Sequence, residues 1–384
     1  GDRRQRQMVI RDSHSTDASG NTAFSIDVAA LAAGRKITAT ATSVEGTEPS
    51  ISYSTSEFSA CVTVVTPPPA PTASNNGPIC NGQNLQLNAS TISGVSYAWT
   101  GPNGFASTQQ NPSITGATTA ATGLYSVTAT IGGSTGAAGT TTATVNACQI
   151  SINDPAAVSE GTGSNSTASC VGSLNHAGKL PITLNWLSVN GTASSPADYT
   201  HGGGTLTIPA NATSASITRP VIGDALDEDN ENFHIDLSNA SAGSISDARG
   251  TIVINDDDAA PTLSFDAGGC SVIEGDGGAV NCAFLLRLSA ASGKTVAFNT
   301  STANGTATAG SDYTGHASTA RNITTGLTTL TINVPVLADT LEEVDETFAL
   351  NVTGVTNASP GSITGHGTIL DDDLAELVFF DGFE

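Results

Sequence analysis

The chain has 384 residues, of which 38% are hydrophobic, 5% aromatic and 12% charged, and its net charge is −23. This length allows two to four domains, while the scarcity of good helix formers and the abundance of Thr, Ser, Gly and Asn disfavour long helices and favour short strands joined by turns. The excess of 35 acidic over 12 basic residues is opposite to what nucleic-acid binding requires, and no run of about 18 apolar residues predicts a membrane span.

Residues 1–65 contain three strand-like runs, AFSIDVAAL, KITATATSV and FSACVTVV. Three strands are too few for a sandwich, so we expect a partial β-sandwich, the end of a truncated domain. The opening GDRRQRQ has no initiating Met and no signal peptide, which predicts a fragment or processed form of a larger protein. Residues 66–72, TPPPAPT, are predicted to be a linker because consecutive prolines hold the chain extended.

Residues 73–148 are predicted to form one small β-sandwich, because NLQLNAS alternates apolar and polar residues and GLYSVTATI is a further strand pattern. The layout resembles immunoglobulin-like or polycystic-kidney-disease-like modules of bacterial secreted proteins, in which a Y-x-W strand packs across the core on a G-x-Y-x-V strand. The matching residues are Tyr97, Trp99, Gly123, Tyr125 and Val127. The GGSTG segment matches the G-x-S-x-G pattern of hydrolases but lies between strand-like runs, so we interpret it as a hairpin turn.

Residues 149–258 (repeat 1) and 259–373 (repeat 2) match one another. SPADYT aligns with AGSDYT, and ALDEDNENFHIDL aligns with TLEEVDETFALNV. Each repeat offers about seven short strands with turns between them, which is typical of a sandwich, and each is too long to be a solenoid unit. We predict two independent domains, followed by a tail at 374–384 whose FFDGFE is interpreted either as a sorting signal or as a frayed end.

Six cysteines in a strand-rich chain indicate an oxidising compartment. Cys270 and Cys282 flank one loop and are the first predicted disulfide. Cys80 and Cys148 bracket the middle module and are the second, which leaves Cys61 and Cys170 without partners; the competing pair is Cys148 with Cys170.

Sixteen of the 35 acidic residues recur in the two repeats, at an offset of 114 residues for the first two positions and 115 for the others. In repeat 1 they are Glu160, Asp198, Asp224, Glu228, Glu231, Asp256, Asp257 and Asp258. In repeat 2 they are Glu274, Asp312, Asp339, Glu343, Glu346, Asp371, Asp372 and Asp373. Side chains of a regular strand alternate faces, so the three aspartates that close each repeat can approach one ion only where the strand ends in a loop.

Carboxylates in this pattern are the ligands that calcium prefers, since the ion takes six to eight oxygen ligands. Without a cation the clustered charges would repel one another and raise some pKa values. The pattern contains no nitrogen or sulfur ligand, which disfavours zinc and copper. We therefore predict Ca²⁺ in each repeat, held by the sixteen carboxylates.

At these residues the chain resembles the Calx-beta family, through an early S-E-G or I-E-G, a middle D-Y-T, an acidic loop ending in E-x-F and a closing D-D-D. The resemblance covers residues 149–373. It implies a seven-stranded immunoglobulin-like sandwich with calcium ions at one end, bound by the residues named above. The best calcium-binding members carry two adjacent aspartates at the start of the acidic loop, where this chain has Gly223 and Ala338. This departure predicts weaker binding and the loss of one ion per domain.

We therefore predict an all-β chain of tandem immunoglobulin-like β-sandwiches, secreted or at the cell surface of a bacterium. Calcium is expected to stiffen the domain ends and joints of a stalk for adhesion or display, and no catalysis is predicted. Two alternatives stay open. The chain is a module that binds a cell-surface protein or carbohydrate, or it is an accessory region of a secreted enzyme whose catalytic part is upstream.

Overall fold

The computed structural model describes residues 65–373, together with the backbone of four short strands that precede them. These strands are β1 (Lys36–Ile37), β2 (Thr42–Glu45), β3 (Ser52–Thr55) and β4 (Val62–Thr63). β1 pairs with β4 and β2 pairs with β3, both antiparallel. The rest of the predicted truncated domain, Cys61 and the C-terminal tail lie outside the described residues.

The middle module consists of short strands and two single 3₁₀ turns, Pro102–Gly104 and Thr119–Ala121. Its strands are β5 (Ala73–Asn75), β6 (Ile79–Cys80), β7 (Leu85–Ala89), β8 (Ser96–Thr100), β9 (Ala106–Ser107), β10 (Ser113–Ile114), β11 (Gly123–Ile131), β12 (Ser134–Thr135), β13 (Gly139–Ala143) and β14 (Val145–Asn146). One sheet has the order β10-β7-β5, and the other has the order β12-β11-β8-β9 with β13 also on β11.

Buried and more exposed side chains alternate along β7, β8 and β11, and the buried ones fill the core of this module. Tyr97, Trp99, Tyr125 and Val127 are all buried, as the resemblance to immunoglobulin-like modules implies. The GGSTG segment is a hairpin turn, since Ile131 pairs with Ser134 across two glycines of positive φ. Glycine adopts this backbone conformation without a steric cost, so the predicted turn is confirmed.

The described residues divide into two compact units. One contains residues 65–76, 84–115 and 120–144, and the other contains 77–83, 116–119 and 145–373. The short segment 77–83 therefore packs with the repeats. Within that second unit β6 runs parallel to β14, and a disulfide joins Cys80 to Cys148.

Repeat 1 is a sandwich of two sheets, with the strand orders β20-β17-β15-β22 and β16-β23-β21-β18-β19. The strands are β15 (Gln149–Ile152), β16 (Val158–Ser159), β17 (Ser166–Leu174), β18 (Ile182–Asn190), β19 (Gly203–Ile208), β20 (Ser214–Val221), β21 (Glu231–Ser238), β22 (Ser244–Ile245) and β23 (Arg249–Asn255). The first strand crosses between the sheets as β15 and β16, and β22 is a short edge segment. The divided first strand and this edge segment explain why repeat 1 has nine strand segments where the resemblance implies seven strands.

Repeat 2 has the same topology, with the strand orders β29-β26-β24-β31 and β25-β32-β30-β27-β28. The strands are β24 (Thr262–Phe265), β25 (Cys270–Ile273), β26 (Ala279–Leu288), β27 (Val296–Asn304), β28 (Thr319–Ile323), β29 (Thr329–Leu337), β30 (Glu346–Thr356), β31 (Ser359–Pro360) and β32 (Thr364–Leu370). Each repeat has its own cluster of buried apolar side chains. The prediction of two separate sandwiches is therefore confirmed.

Equivalent aromatic pairs lie at the centre of the two cores. Phe233 is buried and stacks on Tyr199 with the ring centroids 4.0 Å apart. Phe348 stacks on Tyr313 at 4.4 Å. The tyrosine belongs to the D-Y-T motif and the phenylalanine follows the acidic loop, so each stack joins two of the segments that carry predicted ligands.

Both predicted disulfides form. One joins Cys80 to Cys148, and the other joins Cys270 to Cys282 across the loop at the start of repeat 2. Cys170 is buried and unbonded in the described part of the chain, so the competing pair of Cys148 with Cys170 is wrong. Across the described residues, no helix has the length and apolarity needed to cross a membrane.

Candidate metal centres

The predicted ligands gather at one end of each sandwich because parallel strands end there side by side. In repeat 1, Ser159 at the end of β16 pairs with Asn255 at the end of β23. Glu160, which follows β16 directly, therefore lies beside Asp256–Asp258. In repeat 2 the pairing of Ile273 with Leu370 has the same effect. The three closing aspartates lie beyond the last strand in both repeats, as predicted.

Three carboxylates of repeat 1 form what we call its inner centre. Glu160, Asp224 and Asp258 each place a carboxylate oxygen within 4.8 Å of the other two. Glu160 is only 5% exposed. Its Oε1 atom and Oδ2 of Asp258 are buried without a hydrogen-bond partner. Buried polar atoms are almost always paired, so these two oxygens fit a cation that supplies the missing partner.

The inner centre of repeat 2 is formed by Glu274, Asp371 and Asp373, with the same limit of 4.8 Å between ligand atoms. Glu274 is 3% exposed, and Oδ2 of Asp373 is buried without a partner. Asp339, the equivalent of Asp224, is close enough for its charge to raise the pKa of Glu274. The two inner centres thus contain equivalent carboxylates with small differences in which of them approach most closely.

Repeat 2 has a second group, its outer centre, made by Asp312, Glu343 and Glu346. Oε2 of Glu346 is buried without a partner. Oδ2 of Asp312 accepts a hydrogen bond of 2.6 Å from the backbone N–H of Thr308. This donor fixes the aspartate beside the two glutamates, and the chemistry of the group is again that of a hard-cation site.

The equivalent residues of repeat 1 are Asp198, Glu228 and Glu231, and they lie near one another. Glu231 shares a hydrogen bond with Asp198, and burial, followed by the charges of Asp224 and Asp198, raises the pKa of Glu228. Within the described residues these three do not form a group as close as the outer centre of repeat 2. The two repeats therefore differ at this second position.

The middle aspartate of each closing run has a different contact from its neighbours. Oδ1 of Asp257 accepts the backbone N–H of Gly161 at 3.0 Å, and Asp372 accepts that of Gly275 at the same distance. Both side chains are exposed. They hold the loop that follows Glu160 or Glu274 against the closing run, and neither belongs to the closest three-carboxylate groups.

Gly223 stands where the best calcium-binding members have an aspartate, and the backbone leaves no room for a side chain. A Cβ on Gly223 would overlap the carbonyl oxygens of Gly161 and Ser164. The N–H of Gly163 also donates to the carbonyl of Asp224 at 2.5 Å. The loop after Glu160 thus packs directly on the start of the acidic loop, so the missing carboxylate is a consequence of this close approach.

Two asparagines that the sequence analysis missed hold the D-Y-T loops. Oδ1 of Asn190 accepts the hydroxyl of Tyr199 at 2.6 Å, and Oδ1 of Asn304 accepts that of Tyr313 at 2.6 Å. Each asparagine begins an N-G-T-A sequence that recurs at the repeat offset. That recurrence is the signal that identifies it. The bonds fix the tyrosine that follows the predicted ligand Asp198 or Asp312.

The acidic loop of repeat 1, residues 224–231, also contacts repeat 2. The carbonyl of Asp227 accepts the N–H of Gly293 at 3.1 Å and the hydroxyl of Ser292 at 3.2 Å. Its Oδ1 atom accepts Nζ of Lys294 at 2.7 Å. Asp227 is 6% exposed, so this ion pair is largely removed from water. The contact lies between two predicted ligands, Asp224 and Glu228.

Burial is the main cause of the altered acidity of both inner centres. It raises the pKa of Glu160 to about 7, with further increases from Asp224 and the carboxylates around it. It raises the pKa of Glu274 to about 7, with a further increase from Asp339. Neutral pH therefore places each glutamate near the midpoint of its titration when no cation is bound.

The second pair of glutamates behaves in the same way. Burial, together with a hydrogen bond and charge from the neighbouring aspartate, raises the pKa of Glu231 and of Glu346 to about 7. Burial alone would raise the pKa of Asp312, but hydrogen bonds from Thr308, Ser311 and Glu346 together lower it. Asp312 is thus the stronger acid of the pair and Glu346 the weaker one.

Calcium-free protein is expected to lose stability as the pH rises from about 5 to about 8. Glu160, Glu231, Glu274 and Glu346 keep their protons to higher pH in the folded chain than in the unfolded chain, where glutamate titrates near 4.5. The folded state therefore binds more protons in this range, so raising the pH favours unfolding. With saturating calcium the trend should reverse, because the ion binds ionised carboxylates.

Melting temperatures measured at several pH values, with calcium and without it, test this expectation. The double variant Glu160→Gln, Glu274→Gln is the control, since it removes two of the four titrations and should flatten the calcium-free curve. A calcium-free melting temperature that rises steadily over this range would contradict the assignment.

A family model for the Calx-beta domain matches residues 146–258 and 256–373, together more than half of the chain. The chain belongs to the Calx-beta family. Among solved structures it is similar to CBD12 from CALX1.2, with 21% identity and a TM-score of 0.27 over 57% of this chain and 99% of that one.

Two further solved structures resemble the chain. The apo form of the Calx CBD1 domain has 22% identity and a TM-score of 0.27, covering 30% of this chain and 100% of that one. An I-band fragment of titin has 10% identity and a TM-score of 0.34, covering 79% and 99%. No curated protein matches the chain. The match to the family model confirms the predicted Calx-beta repeats.

Proposed function

We propose that this chain is a calcium-binding structural region of an extracellular multi-domain protein, in which calcium stiffens the ends of the Calx-beta repeats and the joint between them. The observation that carries the proposal is the set of buried carboxylate oxygens without partners, two in each repeat. They belong to Glu160, Asp258, Glu346 and Asp373. A calcium ion coordinated by these oxygens would remove the cost of burying them unpaired.

All sixteen predicted carboxylates stay within this proposal, with different roles. The inner centres and the outer centre of repeat 2 are the proposed ion sites. Asp257 and Asp372 are proposed to hold the loops around them. Asp198, Glu228 and Glu231 are proposed to supply a weaker second position in repeat 1. Asp256 and Asp339 are proposed to assist the inner centre of their repeat, since after burial their charges help to raise the pKa of Glu160 and of Glu274 respectively.

The joint stiffens because its contact residue lies inside the acidic loop. Calcium bound by Asp224 fixes the loop on one side of Asp227, and any ion at Glu228 fixes it on the other. A fixed loop holds the carbonyl and carboxylate of Asp227 in place for Gly293 and Lys294. Calcium and the ion pair should therefore stabilise the same inter-repeat geometry.

Breaking this pair is expected to loosen the joint. Lys294→Met removes the cation and leaves Asp227 buried without its partner, a change that typically costs about 2 kcal/mol or more. The spacing between repeats can be measured by electron paramagnetic resonance with spin labels at Thr207→Cys and Asn322→Cys, which are equivalent exposed positions, in a Cys61→Ser background. We expect a narrow distance distribution with calcium, a broader one without it, and a broad one in Lys294→Met under both conditions.

Glu342→Gln is the matched control, because Glu342 is the repeat 2 equivalent of Asp227 and is exposed. It should leave the distribution between repeats unchanged. Equal widths with and without calcium in the unmodified chain would refute the stiffening role, and calcium binding would then have another purpose.

The two disulfides favour an oxidising, extracellular location. A stiff row of sandwiches suits adhesion or display, and the proposed division is a truncated domain, a proline-rich linker, an immunoglobulin-like module and two Calx-beta repeats. Carbohydrate binding usually needs exposed aromatic rings. The exposed large hydrophobic side chains of the described residues are all aliphatic, so the structural role is the better supported of the two.

A further inference from the structure

The same turn of the sandwich donates a hydrogen bond to a preceding segment of the chain in both repeats. In repeat 2 it is the turn between β26 and β27, where the N–H of Gly293 donates to the carbonyl of Asp227. In repeat 1 it is the turn between β17 and β18, where the N–H of Lys179 donates to the carbonyl of Pro78 at 2.8 Å. We call these the docking turns. In both turns the backbone N–H donates to a carbonyl from a preceding segment of the same compact unit.

The same internal hydrogen bond supports both docking turns. The carbonyl of Gly178 accepts the N–H of Asn211 at 2.7 Å, and the carbonyl of Ser292 accepts that of Gly326 at 3.0 Å. The carbonyl on one side of the apex is thus satisfied within the domain, and the next N–H points outward. A backbone N–H that points outward at a fixed place can donate to the carbonyl of another segment.

The acidic loop of repeat 2, residues 339–346, has the form of the docked loop of repeat 1, but within residues 65–373 no docking turn is bonded to it. The N–H of Leu341 bonds to Oδ1 of Asp339 at 2.8 Å, as the N–H of Leu226 bonds to Asp224 at 2.7 Å. Residues 340–345 are all exposed, whereas Asp227 is buried by its contact. The loop is therefore already shaped for docking.

The uncovered loop also exposes apolar surface. Val344 and Leu341 are 77% and 64% exposed, the highest values for large hydrophobic side chains in the described residues. Leu226, the repeat 1 equivalent of Leu341, is half-buried. Exposed aliphatic side chains beside a set of carboxylates are typical of a binding surface for a cationic partner.

We propose that the acidic loop of repeat 2 is a docking surface for the turn of another Calx-beta-like sandwich, one that offers a small residue, an apex N–H and a lysine, as Ser292, Gly293 and Lys294 do. Glu342 would accept the lysine in the way that Asp227 accepts Lys294. Both docking turns of this chain are covered from within it, so a second copy is not the occupant. The occupant is another Calx-beta-like sandwich whose docking turn is free. This inference rests on the proposed structural role of the first joint.

A three-repeat chain tests the proposal directly, because linkage in tandem raises the effective concentration of a weak contact. A copy of residues 259–373 is fused directly after Asp373, which reproduces the junction between Asp258 and Ala259. Spin labels at Asn322→Cys and at the copy of Asn322→Cys then span the new joint. In calcium, the distance distribution should superpose on that of Thr207→Cys with Asn322→Cys across the first joint.

Two variants and one further measurement separate the outcomes. Glu342→Gln, or Lys294→Met in the copy, should broaden the new joint and leave the first joint narrow. Hydrogen exchange of residues 339–346 should slow about tenfold in the three-repeat chain, as expected for a loop held by one hydrogen bond to a charged group. A broad new joint that neither variant changes, with unaltered exchange, would overturn the docking surface. A first joint that is also broad would instead refute the proposed function.

Discussion

Replacing Glu160 with Gln is expected to shift the stability of repeat 1 in opposite directions with and without calcium. Without calcium, the variant removes a buried carboxyl that neighbouring carboxylates repel, so the melting temperature at pH 8 should rise. With calcium at about one hundred times its dissociation constant, loss of the site should remove about 3 kcal/mol of ligand-linked stability. Thermal unfolding in calcium and in chelator measures both effects.

Matched variants distinguish an ion site from a structural role. Glu274→Gln should produce the same opposite shifts in repeat 2. Asp257→Asn should have little effect, because its Oδ1 atom can still accept the N–H of Gly161 and the side chain is exposed. A loss of stability in Glu160→Gln of equal size with and without calcium would mean that the glutamate supports the fold and does not bind the ion.

Truncating Phe233 is expected to give the largest loss of stability of any single change considered for repeat 1. The side chain is fully buried and stacks on Tyr199. Phe233→Ala should cost about 3–5 kcal/mol, since it removes a large apolar group and leaves a cavity. The loss also frees Tyr199, which follows the proposed ligand Asp198, so calcium affinity should fall as well. Urea unfolding with and without calcium measures the two effects.

Phe233→Leu separates the ring stack from the apolar volume. It keeps most of the buried surface and removes only the aromatic pair, which is typically worth about 0.5–1.5 kcal/mol. We expect a modest loss of stability with weaker calcium binding. Unchanged calcium affinity in Phe233→Leu would mean that the stack is not the element that joins the D-Y-T loop to the core.

The sequence was sufficient for the fold because the repeated pattern contains both core and ligand signals. Tyr97, Trp99 and Tyr125 lie on alternating strands, and their burial follows from the period of two. Both disulfides followed from spacing within one loop or one module. The position of the closing aspartates beyond the strand followed from strand geometry, since three adjacent carboxylates on a strand point to opposite faces.

Details that depend on the path of the loops could not be predicted. Asp256, Asp257 and Asp258 are the same residue type, and only the backbone decides that Asp257 accepts Gly161 while Asp258 joins Glu160. The overlap that excludes a side chain at Gly223 depends on where a distant loop packs. Asn190 was within reach of the sequence, since its recurrence at the repeat offset is as regular as that of the carboxylates.

The contact between the repeats was harder to predict from the sequence than the ligands. Asp227 and Lys294 are 67 residues apart, and neither is among the sixteen predicted ligands. Lys179 and Lys294 recur at an offset of 115 residues, but the hydrogen bonds of the two docking turns align at an offset of 114, so that Lys179 takes the place of Gly293. A contact made only once between two copies of a domain leaves no internal repeat in the sequence. Structure is therefore needed to find it.

Calcium titration by calorimetry on the whole chain, beside the double variant Glu160→Gln, Glu274→Gln, tests calcium binding most directly. We predict saturable heat in the unmodified chain and the loss of the tighter part of that heat in the variant, which changes both inner centres. An unmodified chain that gives no heat at millimolar calcium would contradict calcium binding, and the acidic ends of the two Calx-beta repeats would then carry their buried carboxylates for another reason.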